Sequence, residues 1–365
     1  MKLKDLTTFL ETLAPLSYQE DYDNSGLIAG DPEQEINAAL ISLDCTEAIV
    51  DEAIQKGCNL IISHHPIVFK GLKKFNGKTY VERVIIKAIK NDIALYAIHT
   101  NLDHIQNGVN FKICEKLGLK SHEILVPKEG ILKKLSTYVP VEHAEEIRLA
   151  MSAAGAGQIG NYSDCSFNVE GYGTFKALDQ ADPYVGTKGE IHKEKETKIE
   201  VIFPAYRERE IIAALKKAHP YEEVAYDIYS LSNKHERVGA GMIATLEGGM
   251  EELAFLKHVK EQLRASVVRH TALTGKTVSR VAVCGGSGSF LLKNAIAAKA
   301  DVFITADFKY HEFFDAENKI VIADVGHFES EQFTQEMLFE IIRKNFPNFA
   351  LRLTEYNTNP INYLI

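Results

Sequence analysis

Ile61-Ile62-Ser63-His64-His65-Pro66 carries an apolar run straight into two imidazoles and then stops it with a proline. The run reads as a buried strand, and Pro66, which has no backbone N–H, keeps the ladder from continuing past the histidines. Adjacent residues at a strand end point to different sides, so His64 and His65 suit two metal ions sharing a site better than one chelated ion. Taken alone, such a pair reads more readily as an exposed turn. The flanking sequence decides between the two.

Upstream, residues 38–43 form another apolar run and residues 46–56 a helix. Downstream, Val81, Val84, Ile85, Ala88 and Ile89 share a helical face, and residues 93–98 form a third apolar run. This βαβα alternation predicts an α/β fold with a largely parallel sheet, in which ligands gather outside the carboxyl ends of the strands. Before it, Leu6, Phe9, Leu10 and Leu13 recur at helical spacing and stop short of Pro15.

The same device recurs twice. Ala97-Ile98-His99-Thr100-Asn101-Leu102-Asp103 ends the third run with a carboxylate preceded by polar groups able to orient it. By itself, Asp103 also suits a helix cap or a turn. Near the other end, Ile320-Val321-Ile322-Ala323-Asp324-Val325-Gly326-His327-Phe328-Glu329-Ser330-Glu331 delivers a histidine through a glycine. If a helix begins there, His327 and Glu331 lie on one face at i and i+4; a solvent-facing pair at a helix start is the competing reading.

Three strand ends supplying three imidazoles and two carboxylates favour a shared dinuclear metal site built from His64, His65, Asp103, His327 and Glu331. Mixed nitrogen and oxygen ligands leave room for water, unlike the closed sets of structural zinc sites. Two ions ~3.5–4 Å apart can activate water near neutral pH and polarise the bond it attacks. These ligand types accept zinc, iron or manganese alike.

Two further stretches border this set. Val283-Cys284-Gly285-Gly286-Ser287-Gly288-Ser289 runs from a strand at 278–283 into a helix at 288–299, and its small residues could free backbone N–H groups for an anion. A tight turn with no ligand fits equally well. Thr305-Ala306-Asp307-Phe308-Lys309-Tyr310-His311-Glu312 follows a strand at 301–305 and offers Asp307, Lys309 and His311 for orientation or proton transfer, with a surface helix histidine as the competing reading of His311. Residues 319–324 form a last strand.

Between residues 126 and 232 the pattern becomes β-α-β, linker, β-α-β, a ferredoxin-like signature. Its halves repeat at one constant offset: Pro140 with Pro204, Glu146 with Glu210, Ile147 with Ile211, Ala150 with Ala214, Met151 with Leu215 and Ala154 with Ala218. Two unrelated amphipathic helices led in by proline would also look alike. Residues 171–196, rich in Gly, Asp and Lys, read as a long exposed hairpin or loop that could reach a neighbouring subunit or a ligand. The organisation expected is a lobe at 1–125, an inserted unit at 126–232 and a second lobe at 233–365.

Composition narrows the function classes. The chain has 365 residues, 45% of them hydrophobic and 25% charged, so ordered globular structure is expected. A net charge of −9 supplies no basic field for a nucleic-acid backbone. No apolar run approaches the ~20 residues that span a bilayer, and the start lacks a signal-peptide core, so a cytoplasmic protein with no membrane partner is expected. Cys45, Cys58, Cys114, Cys165 and Cys284 are scattered and never form a C-x-x-C pair, which points to reduced thiols.

SHHP, HTNLD, CGGSG, TADFKYHE and DVGHFESE, in this order along the whole chain, resemble the GTP cyclohydrolase I type 2 homologue family, also called NIF-three-like. The resemblance implies a body of two α/β lobes with an inserted domain similar to PII and CutA proteins. It also implies a two-metal centre, usually zinc or iron, on His64, His65, Asp103, His327 and Glu331, in a homohexamer whose sites face an internal cavity. The reaction implied is hydrolytic opening of the GTP ring system, a nucleotide-like small-molecule substrate, with Glu331 bridging the ions and His311 transferring a proton. Phosphoester hydrolysis would use the same parts. A non-catalytic metal-handling or regulatory protein with a ligand-sensing PII-like domain is the alternative.

Overall fold

The computed structural model describes residues 1–364. The chain divides into two compact units, one formed by Met1–Val126 with the chain from Arg237 onward, the other by Pro127–Glu236.

The first unit is built on two mixed sheets. In the first, strands Leu60–Ser63 and Ala38–Ser42 lie side by side in parallel, flanked by Ala94–Ala97 and Ala350–Leu353, also parallel; Gly26–Ala29 runs antiparallel at one edge. The second has the order Arg269–His270, Val321–Asp324, Val302–Ala306, Thr277–Ser287, Lys234–Glu251, Lys120–Glu129, and its three central strands at 277–287, 302–306 and 321–324 are parallel. Leu60–Ser63, Ala94–Ala97, Val302–Ala306 and Val321–Asp324 are buried at every position. Continuous apolar runs of this kind are what a parallel sheet covered on both faces requires.

The covering helices have the faces that the sequence calls for. Glu47–Gln55 starts at Thr46, whose hydroxyl accepts the Ile49 N–H, and Tyr80–Lys90 starts at Thr79, whose hydroxyl accepts that of Glu82. Val50, Ala53, Val84, Ile85 and Ala88 close over Leu40 and Ile61. Ile89, expected on that face, is mostly exposed, because one more 100° step carries it past the buried stripe.

The lobe boundaries at 125 and 233 need correction in one respect: each sheet borrows a strand from the other stretch of chain. Ala350–Leu353 pairs in parallel with Ala38–Ser42, and Lys120–Glu129 forms the edge of the second sheet. Each borrowed strand satisfies backbone groups that would otherwise stand unpaired beside a buried neighbour. The long strand Lys234–Glu251 and the helix Glu252–Gln262 were not anticipated from the sequence.

Glu52 anchors the returning terminal strand. Its buried carboxylate accepts hydrogen bonds from Lys56 Nζ at 2.6 Å, the Glu355 N–H at 2.9 Å and the Thr354 hydroxyl. Burial pushes its pKa up, but these donors outweigh burial and hold it below the ordinary glutamate value. A depressed folded pKa stabilises fully above the unfolded value and loses that contribution as pH falls through the folded value. Glu52→Gln should therefore cost about 1.5–3 kcal/mol at pH 7 and progressively less in acid. Urea denaturation at pH 7 and pH 3.5 measures the difference.

In the second unit, strand Leu132–Pro140, helix Ala144–Ala153, strands Phe167–Lys176 and Ile191–Pro204, helix Glu208–Ala218 and strand Tyr226–Leu231 follow one another. The four-stranded sheet has the order 167–176, 191–204, 132–140, 226–231, with antiparallel neighbours throughout. Two of the aligned pairs, Ile147 with Ile211 and Met151 with Leu215, bury against Leu135, Ile199 and Phe203. Residues 171–196 contain paired hairpin arms, in register from Phe167 opposite Glu200 to Lys176 opposite Ile191.

Candidate metal centre

The carboxyl ends of strands 38–42, 60–63, 94–97, 277–287 and 321–324, drawn from both sheets of the first unit, open onto one cavity of about 940 Å³. His64 and His65 follow strand 60–63, Asp103 lies in the short helix Thr100–Asp103 after strand 94–97, and His327 and Glu331 bound the helix His327–Glu331 after strand 321–324. All five converge. Three overlapping triads, His64/Asp103/Glu331, His65/His327/Glu331 and His64/His65/His99, each have ligand atoms within 4.8 Å of one another.

Each imidazole in the cluster is turned the same way. The Nδ1–H of His64 donates to the Ile98 carbonyl at 2.8 Å, that of His65 to Asp44 at 2.8 Å, that of His99 to Asp23 at 2.8 Å and that of His327 to Asp307 at 2.7 Å. These acceptors fix the tautomer, and for His64, His65 and His327 the Nε2 lone pair is aimed at the acids and the other rings. His65 Nε2 lies 3.0 Å from Glu331 Oε2, His327 Nε2 lies 3.1 Å from the same oxygen, and the two nitrogens are 3.3 Å apart. Lone pairs so placed repel unless a cation sits among them.

The second half of the cluster has the same deficit. His64 Nε2 stands 3.6 Å from Asp103 Oδ1 and 3.9 Å from Glu331 Oε1, and both His64 Nε2 and Asp103 Oδ1 are buried without a hydrogen-bond partner. Such orphaned atoms are costly. Burial, with the nearby Glu331 charge, pushes the Asp103 carboxyl up to about 7. Burial opposes charge on His65 and His327 as well, yet bonds to Asp44 and Glu331 raise the first to about 9, and Glu331 with Asp307 raises the second to about 11. Glu331 is itself held well below the ordinary carboxylate range by His327, His64 and His65 against its own burial. The donor set therefore calls for positive charge at two neighbouring points, and divalent ions fit it.

Of the two readings open for the glycine stretch, an anion-holding loop and a turn without ligand, the first is not available to Gly285 and Gly286, whose N–H groups donate to Asn110 Oδ1 and Ser330 Oγ, each at 2.9 Å. Space is what matters here. A Cβ on Gly286, where φ is +62°, would lie 2.4 Å from Glu331 Oε1, so the glycine lets the carboxylate reach the cluster. The strand accordingly runs through the glycines to Ser287, and the regular helix is confined to Leu292–Ala297.

Asp307 takes the orienting position behind His327. His311 does not join the cluster: it is exposed, with its ring against Tyr310 and Phe314, and Lys309 caps its own short helix through Glu312. Asp44 and Asp23 carry no signal used in the sequence reading, and His99 is read there only as one of the polar groups before Asp103. Asp44 directly follows the strand Ala38–Ser42 and its Leu43 neighbour, so the strand-end rule that found His64 could have found it; Asp23 lies in a loop with no periodic signal. Replacing Asp44 by asparagine weakens the hold on His65, and metal affinity measured by competition with a chelator should fall about 10–100-fold.

Residues 1–360 match Duf34/NIF3 (NGG1p interacting factor 3), and the chain belongs to this family. It is 38% identical to the GTP cyclohydrolase 1 type 2 homolog of Bacillus subtilis, across 99% of this chain and 98% of that one, and 35% identical to the Staphylococcus aureus protein of the same name over the full length of both. Among solved structures, a Bacillus cereus protein related to NIF3 superposes with a TM-score of 0.87 at 39% identity, covering 100% of this chain and 99% of that one. Staphylococcus aureus protein SA1388 superposes with a TM-score of 0.79 at 32% identity, with the same coverage.

Proposed function

We propose that the first unit is a dinuclear metal-dependent hydrolase acting on a nucleotide-like small molecule. The observation that carries this reading is the set of imidazoles with Nδ1 held from behind, facing the buried Glu331 and the partly buried Asp103; Glu331 belongs to two of the three triads. His65, His327 and Glu331 would hold one ion and His64, Asp103 and Glu331 the other, with Glu331 as the bridge. Zinc suits the mixture, and iron or manganese does too. Bound metal supplies electrophilic polarisation of the substrate and water activation near neutral pH.

The chain's own groups do the rest. Glu331 fixes the spacing of the two half-sites. His99, with Asp23 behind its Nδ1 and its ring 5.2 and 5.3 Å from those of His64 and His65, is placed to accept and return a proton at the cavity wall. We assign it the role that the sequence suggested for His311. Tyr22, Phe69 and Phe290 offer aromatic surface for a base. Among the described residues the cavity lining includes no lysine or arginine, so charge compensation for a phosphate falls to the metal ions.

The name of the relatives supports GTP as the first compound to try, and the same metal chemistry makes phosphoesters the next. Protein purified without air and loaded with zinc, iron or manganese in turn should release formate from GTP, or inorganic phosphate from a phosphoester. Silence with every metal against both classes would overturn the hydrolase reading. No described helix is long and apolar enough to cross a membrane, in keeping with a cytoplasmic role. We further read the 127–236 unit as ferredoxin-like, supported by its strand order, and retain the PII/CutA-like character and the hexamer as expectations of the family.

A further inference from the structure

We propose that the 127–236 unit carries a second ligand site, independent of the metal cluster, for a small organic ammonium ion. The site is a cavity of about 1010 Å³ between the strand Phe167–Lys176, the connection after it and the turn at residues 219–225. Its floor is Glu196, which is 8% exposed and, among the described residues, takes part in no ion pair. Among the described residues, its carboxylate accepts a side-chain hydrogen bond from the Tyr221 hydroxyl, at 3.1 Å. Tyr221 is fixed in turn, its N–H donating to Nδ1 of the buried His219 at 3.1 Å.

A carboxylate this deep is unfavourable without a compensating cation. Gly173 leaves room for it: a Cβ there would meet Glu196 Oε2 at 2.0 Å, so a side chain at this position would push the carboxylate aside. The neighbouring positive groups are engaged elsewhere or exposed. Lys198 pairs with Glu200 at 2.7 Å, and Lys176 lies on the exposed end of its strand.

The walls are aromatic. Tyr138, Tyr172, Phe175, Tyr184 and Tyr221 line the cavity, with the Tyr221 ring 6.2 Å from Phe175 and 6.1 Å from Tyr184. Ring faces around a buried carboxylate make up the chemistry that recognises an alkylated ammonium, which is attracted to both and is weakly hydrated. The molecule already uses one of these rings in this way, since Lys193 Nζ sits 4.3 Å above Tyr172. Glu222 and Glu223 at the rim add to the negative field.

Calorimetric titration of the full-length protein with choline and with spermidine tests the site. At least one should bind saturably at 0.15 M salt, Glu196→Gln should weaken it by at least about tenfold while leaving the melting temperature near that of the parent, and the uncharged carbon isostere of choline should not bind. Absence of saturable binding by either cation, equal binding to the Glu196→Gln protein, or equal binding of the neutral isostere would each overturn the assignment. Tyr221→Phe, which keeps the ring and frees the carboxylate, should retain most of the affinity. Its complete loss there would contradict a site whose seat is Glu196.

Discussion

Glu331→Gln is expected to cut metal affinity by more than ~100-fold, beyond what loss of an outer orienting partner costs, and to abolish turnover with it. The amide is nearly isosteric, so the packing against Gly286 survives. What is lost is the negative charge shared by His65, His327 and His64 across distances of 3.0, 3.1 and 3.9 Å. A neutral amide would hold two cations far more weakly than a carboxylate, and the imidazoles would no longer have a common counter-charge. Elemental analysis after dialysis, with circular dichroism to verify the fold, gives the answer. Retention of both ions by the variant would remove Glu331 from the centre.

His99→Gln should separate proton transfer from metal binding. The five proposed ligands and their partners remain in place, so metal content should stay at the parent level while kcat falls about 10²–10⁴-fold and its pH profile flattens. Asp23→Asn should reproduce the defect partially, since the amide oxygen can still accept the Nδ1–H now held at 2.8 Å. Loss of metal on His99→Gln would instead make this histidine a ligand, which its place in one of the three triads also allows.

The strand-end device was legible in the sequence because it needs only local information. Four or five consecutive buried residues declare a parallel strand, and a polar group at its end declares the side that ligands approach. That rule led to His64, His65, Asp103 and His327, and helical spacing added Glu331. The helices of the 127–236 unit were legible for a similar reason, since Ile147 and Ile211 occupy equivalent positions in two amphipathic stretches.

What escaped notice depends on pairing across long stretches of chain. Nothing local in Ala350–Leu353 says that it completes a sheet begun at Ala38, and nothing in Lys120–Glu129 says that it leaves the first sheet for the second. Asp23 sits in a loop, and only the fold brings it behind His99. The glycines near the end of strand 277–287 were visible as small residues, but the use of Gly286 as clearance for a carboxylate forty-five positions later follows only from the packing. His311 was the converse case, a polar residue after a strand whose short helix turns it outward.

The central claim is that two cations occupy the cluster formed by residues from both ends of the chain. Anomalous diffraction from crystals of protein purified without air and soaked in zinc, recorded on both sides of the absorption edge, tests it most directly. Two peaks are expected, one among His65, His327 and Glu331 and the other among His64, Asp103 and Glu331. No edge-dependent density between these side chains, with zinc bound elsewhere or not at all, would contradict the account.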